Sequence, residues 1–137
     1  YGNLCRAMHM LVLETVRQEK GYEEQEQLIV LFLDTRNRLL KEKLMFKGTV
    51  NASLVSPREI FLEALEVHAV YIVLVHNHPS GDPSPSQEDV HMTKRIYQSG
   101  ELLGIRLVDH VIIGDRRYCS MREQKLLPEA WKEKDSR

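Results

Sequence analysis

Residues 69–89 read Ala-Val-Tyr-Ile-Val-Leu-Val-His-Asn-His-Pro-Ser-Gly-Asp-Pro-Ser-Pro-Ser-Gln-Glu-Asp. Ala69 to Val75 is a short apolar run rich in β-branched residues, which predicts a strand buried on both faces and so central in its sheet. The Pro-, Ser- and Gly-rich stretch from Pro79 to Pro85 reads as a loop. Beyond it, Val90, Thr93, Ile96 and Tyr97 fall at helical spacing, with Gly100 as the expected cap.

Working outward, Ser56-Pro57-Arg58-Glu59 has the form of a helix start, with Ile60, Phe61, Ala64 and Leu65 as the buried face. Upstream, the acidic stretch Glu23 to Glu26 leads into a second apolar run, Leu28 to Leu33. Asp34 to Asn37 then turns the chain into another strand through Leu39 to Phe46. Downstream, Ile105 to Ile113 and Tyr118 to Met121 read as two strands joined at Gly114-Asp115. At the start, Leu4, Met8, Leu11, Val12 and Val16 share one helical face, and Gly21 offers a stop. The order helix, hairpin, helix, strand, helix, hairpin predicts a mixed sheet covered by helices, an α/β architecture. Residues 1–22 are expected to form a helix packed on a domain spanning 23–127, and 128–137 a charged, frayed tail.

A chain of 137 residues suffices for one domain with its own core. The content of 42% hydrophobic and 28% charged residues is that of an ordinary globular protein, and the formal net charge of -1 provides no global field toward nucleic acid or anionic lipid. Cys5 and Cys119 are too far apart to read as a disulfide framework. With no apolar run of membrane length and no charged-then-apolar leader, a cytoplasmic setting and no membrane partner are expected. Tyr1 is not an initiator, so a preceding part is expected as well.

The chemistry concentrates at residues 76–89. Two histidines two apart in extended chain point to the same side, so both imidazoles can meet one ion. They are expected just beyond the end of the central strand, where α/β sheets open their crevices. Asp89 falls in the first turn of the next helix and can fold back toward them. His76, His78 and Asp89 would leave a fourth tetrahedral position for water, as in a catalytic rather than a structural zinc site. Zinc lowers the pKa of its water to roughly 7, and a general base is still needed to carry the proton. Glu26 is the candidate, with Glu23 and Glu24 close enough in sequence to be confused with it; a solvated pre-strand charge is the plainer reading. Ser86 can donate to a developing oxyanion. Ser84-Pro85-Ser86-Gln87 is also a capping box in form, which makes Ser84 the expected cap and leaves Ser86 open to either role. His9, His68, His91 and His110 lack ligand-like spacing; only His110, in Asp109-His110-Val111, suggests a group supporting the ligands.

The pattern of an upstream Glu, then HxH, seven residues, Ser, two residues and Asp resembles the JAMM/MPN metalloprotease superfamily, and specifically its RadC (UPF0758-type) branch. Here His76, His78, Ser86 and Asp89 keep every internal spacing, and Glu26 stands in Glu-Gln-Leu-Ile-Val-Leu-Phe-Leu-Asp, similar to the RadC segment carrying the superfamily glutamate. Phe46-Lys47-Gly48-Thr49-Val50-Asn51, Ser56-Pro57-Arg58-Glu59-Ile60, His76-Asn77-His78-Pro79-Ser80-Gly81 and Asp109-His110-Val111-Ile112-Ile113-Gly114 also resemble RadC wording. The resemblance, from Glu26 to about Met121, implies a three-layer, deaminase-like α/β/α fold, one zinc ion per chain and a metallopeptidase or isopeptidase acting on a polypeptide. There is no room for the insertions with which relatives grip ubiquitin. The alternative is a DNA-repair or recombination accessory whose metal site serves nucleic-acid or partner binding, which the RadC name suggests and the charge does not support. A non-catalytic MPN scaffold is disfavoured, because such versions typically lose ligands and this chain keeps them.

Overall fold

The run Leu28 to Leu33 forms strand β1 (Gln27–Leu33) in the computed structural model, which describes residues 25–48 and 54–127. It is followed by β2 (Leu39–Lys47), α1 (Pro57–Glu66), β3 (Tyr71–Asn77), α2 (Gln87–Leu103), β4 (Arg106–Ile113) and β5 (Tyr118–Ser120). The strands make one five-stranded sheet in the order β2-β1-β3-β4-β5. β1 runs antiparallel to β2 and β3, β3 parallel to β4, and β4 antiparallel to β5. The sheet is mixed, the fold is α/β, and β3 is central, as its apolar run predicts.

Period-two alternation sends Leu28, Val30, Phe32, Ile72, Leu74 and Leu107 to one face, where they pack with Ile60, Phe61 and Ala64 of α1 and Met92, Ile96 and Tyr97 of α2. Ile29, Leu31, Leu33, Val73, Val75, Val108 and Val111 form a second buried cluster on the opposite face. Full burial of one such side chain is worth about 1.5–3 kcal/mol, so the two clusters bind the register firmly. The expected helix over 1–22 and tail over 128–137 lie outside the described residues. No helix among the described residues is long and apolar enough to cross a membrane.

Several local expectations are corrected. β3 runs on through His76 and Asn77, so the first histidine of the pair is in the strand rather than beyond it. Gly100 does not cap α2; the helix continues to Leu103 and ends on Gly104 at φ 75°, in the left-handed region that glycine adopts most easily. Gly100 instead sits where a Cβ would come within 2.1 Å of the Ile105 carbonyl oxygen, so the chain leaving α2 folds back too closely for any side chain there. Leu65 is exposed, because α1 buries only the stripe of Ile60, Phe61 and Ala64. Ser56 is the N-cap of α1, but its side chain makes no capping bond.

Candidate metal centre

Because β1 and β3 are antiparallel, the start of one lies beside the end of the other. The register sets Leu28 opposite His76, and Glu26 shares the face of Leu28 one pleat further out. Glu26 Oε2 consequently stands 3.7 Å from His76 Nε2. His78 follows immediately after β3, its amide donating to the Ile113 carbonyl oxygen at 2.9 Å. Its Nδ1 lies 2.9 Å from the carbonyl oxygen of Asp82, which turns Nε2 inward.

Asp89 arrives from α2. The N-cap of that helix is Ser86, not Ser84: Ser86 Oγ accepts from the Asp89 amide at 3.1 Å, and Asp89 Oδ2 accepts from the Ser86 amide at 2.8 Å. This reciprocal box pins the carboxylate that sequence spacing singled out. Ser84 is occupied elsewhere, with amide and hydroxyl both donating to Asp82 Oδ1. Asp89 Oδ1 lies 3.3 Å from His76 Nδ1 and Oδ2 lies 3.1 Å from His78 Nε2. The structure thus brings Glu26, His76, His78, Ser86 and Asp89 to one end of the sheet. Glu23 and Glu24 lie outside the described residues.

Glu26, His76 and His78 offer ligand atoms that all lie within 4.8 Å of one another, a cluster able to hold a metal ion. His76 tests the fit. It is 1% exposed, yet among the described residues neither ring nitrogen makes an aligned hydrogen bond. Leaving such a group unsatisfied costs about 1–3 kcal/mol, and a coordinated ion removes that cost. Asp89 is also close, though through different oxygens: Oδ1 faces His76 Nδ1 and Oδ2 faces His78 Nε2. One ring cannot give both nitrogens to one ion. His76 and His78 could therefore share an ion with Glu26 on the Nε2 side of His76 or with Asp89 on its Nδ1 side.

The electrostatics suit a cation. Burial would push the Asp89 carboxyl up, but His76, His78 and the Ser86 amide beside it outweigh this and hold it well below the usual carboxylate range. The Asp89 contact raises the His78 pKa against the opposing effect of burial, with the Asp82 carbonyl adding to it.

A second ring of residues supports the candidate ligands. Asp115 N donates to the Gly81 carbonyl oxygen at 2.8 Å, joining the loop after β4 to the loop after His78. A Cβ on Gly114 would meet that same oxygen at 2.3 Å and Pro83 Cδ at 2.8 Å. His110, the histidine expected to support the ligands, is fully buried with its ring centroid 5.7 Å from that of His76. Thr93, read from sequence only as a core position, bonds both the Asp89 carbonyl and His110. Its spacing of four residues from Asp89 was the available signal.

A family model described as RadC-like JAB domain matches residues 7–126. The chain belongs to the RadC family. It is 49% identical over 113 residues to a UPF0758 protein of Halalkalibacterium halodurans, covering 82% of this chain and 49% of that one. A UPF0758 protein of Clostridium perfringens is 48% identical over 117 residues, covering 85% and 50% of the two chains. One from Methanosarcina mazei is 45% identical over 117 residues, covering 85% and 49%. The chain spans about half the length of these relatives, and their names state no activity. The RadC match takes in all five site residues.

Proposed function

We propose that this RadC domain is a zinc-dependent metallohydrolase that cleaves peptide or isopeptide bonds. The observation that carries the reading is His76, a buried imidazole with no aligned hydrogen bond at either nitrogen among the described residues, set between an accessible and an inaccessible carboxylate. Asp89, 1% exposed and locked by its capping box, suits a permanent anionic ligand beside His76 and His78. The Glu26 side chain, 27% exposed, suits a group that must meet water and substrate.

When bound, zinc supplies a Lewis acid that polarises a carbonyl and acidifies water. Glu26 takes a proton from the attacking water as its oxygen bonds to the carbonyl carbon, and delivers that proton to the amine nitrogen as the C–N bond breaks. Ser86 Oγ already accepts from the Asp89 amide, so its own hydrogen remains free to donate to the developing oxyanion. The neutral-pH charge of Asp89 keeps the ligand set anionic throughout.

The test is a zinc-loaded chain assayed on a panel of peptides and isopeptide-linked substrates, beside Glu26→Gln. Turnover in the wild type, with zinc kept but turnover lost in the variant, is the expected outcome. Stoichiometric zinc with no hydrolysis, and no polypeptide trapped by Glu26→Gln, would overturn it.

A further inference from the structure

Asn77 lies between the two histidines, and alternation along the chain turns its side chain away from theirs. Its Oδ1 accepts from the Gln27 amide at 2.6 Å, and its Nδ2 donates to the Gln25 carbonyl oxygen at 3.2 Å. An amide N–H only donates and a carbonyl only accepts, so both partners dictate the same orientation of the carboxamide. The two bonds flank Glu26 on either side. A third tie acts on Glu26 itself, whose carbonyl oxygen accepts from the Gly48 amide at 2.9 Å.

We propose that Asn77 is a positioning residue that clips the backbone around Glu26 and so sets that carboxylate against the His76–His78 pair. This deepens the hydrolase reading and rests on it for Glu26's role as base, while the clip itself is a matter of geometry. Glu26 stands just before the β1–β3 ladder, whose paired register begins with Leu28 opposite His76. A carboxamide does there what the ladder does further in. Asn combines an acceptor and a donor on a stem short enough to span one residue of the neighbouring strand. Asp lacks the donor, and Ser can serve only one bond at that reach. One tripeptide, His76-Asn77-His78, therefore carries two metal-ligand candidates on one side and the alignment of the general base on the other.

The experiment follows the side-chain carboxyl carbon of Glu26 and the imidazole resonances of His76 and His78 by NMR as zinc is added to wild type, Asn77→Ala and Asn77→Asp. The Glu26 signal shifts in the wild type; in Asn77→Ala that shift is lost, while the histidine shifts and the zinc stoichiometry are kept. Asn77→Asp keeps the acceptor for Gln27 and loses the donor to Gln25, so its Glu26 shift is intermediate. It also serves should the alanine variant not fold. A Glu26 shift equal to wild type in the folded variants overturns the proposal. In a hydrolysis assay, Asn77→Ala lowers kcat about 10- to 100-fold with KM little changed, and adds nothing to Glu26→Gln. Independent, additive losses also overturn it. A wild type that hydrolyses nothing sinks the hydrolase reading alone, since the NMR comparison still decides the role of Asn77.

Discussion

Thr93 Oγ1 lies 2.6 Å from the Asp89 carbonyl oxygen and 2.6 Å from His110 Nδ1. The hydroxyl has one hydrogen, and the carbonyl can only accept it, so His110 must donate from Nδ1. Nε2 then carries a bare lone pair, buried beside His76 and without a hydrogen-bond partner among the described residues. Thr93 thus ties the helix that carries Asp89 to the fourth strand.

Burial, aided by repulsion from His76, lowers the His110 pKa from 6.5 to about 3. The unfolded chain binds a proton at that site below about pH 6.5 and the folded one does not. The stability contribution is therefore full above 6.5 and is lost as pH falls toward 3. In metal-free protein, urea unfolding between about pH 4.5 and 6.5 should show stability falling by up to about 1.4 kcal/mol per pH unit from this group. Asp89, whose pKa is depressed, loses its contribution only at lower pH, below the unfolded carboxylate value. A His110→Gln variant should show a shallower slope, and an unchanged slope would refute the assignment.

Zinc should stabilise the fold by mass action. At free zinc 100-fold above its Kd the gain is about 2.7 kcal/mol, read as a rise in Tm that a chelator reverses. His76→Ala and His78→Ala should each abolish the shift. A zinc-dependent rise that survives both would place the ion elsewhere.

Ser86 serves the helix and, in the proposed reaction, the oxyanion. Ser86→Ala should lower stability by about 1 kcal/mol through loss of the cap, and turnover by about 100- to 1000-fold. Ser86→Asp keeps an N-cap acceptor but has no hydroxyl, so stability should return toward wild type while turnover stays low. Recovery of both together would reduce Ser86 to a cap.

Gly114 and Gly100 are both too close to backbone for a side chain, but at different places. Gly114→Ala pushes on the Gly81 carbonyl and Pro83, and through them on the loop carrying His78. Zinc affinity should fall about 10- to 100-fold, as for other losses of support around ligands. Gly100→Ala pushes α2 from Ile105, remote from the ligands, and should lower Tm with zinc affinity unchanged. Isothermal titration of both variants against zinc separates the two effects.

Much of this was legible in the chain itself. Apolar runs at Leu28–Leu33 and Ala69–Val75 specify strands because burial rewards them wherever they lie, and HxH followed by Ser and Asp at helical spacing marks a site because local geometry makes those side chains converge. Glu26 is harder, since it is fifty residues from His76 and only antiparallel pairing with Leu28 opposite His76 sets it there. Caps depended on competition: Ser84 and Ser86 are both cap formers, and Asp82 takes Ser84 while Asp89 takes Ser86.

What the tertiary structure alone decided is seen best in β4. The register against β3 slips by one between Ile72 and Val73, so Leu107 pairs with Ile72 but Asp109 pairs with Val73 and His110 with Leu74. Without that bulge, His110 would pair with Val75 and face the side away from α2. A one-residue slip reverses every side chain beyond it. The residues that want burial are written in the sequence by their chemistry. Whether His110 lies beside His76 and Thr93 or on the opposite face is not, because Leu107, Val108, Val111 and Ile112 are apolar on both faces and either register would bury them.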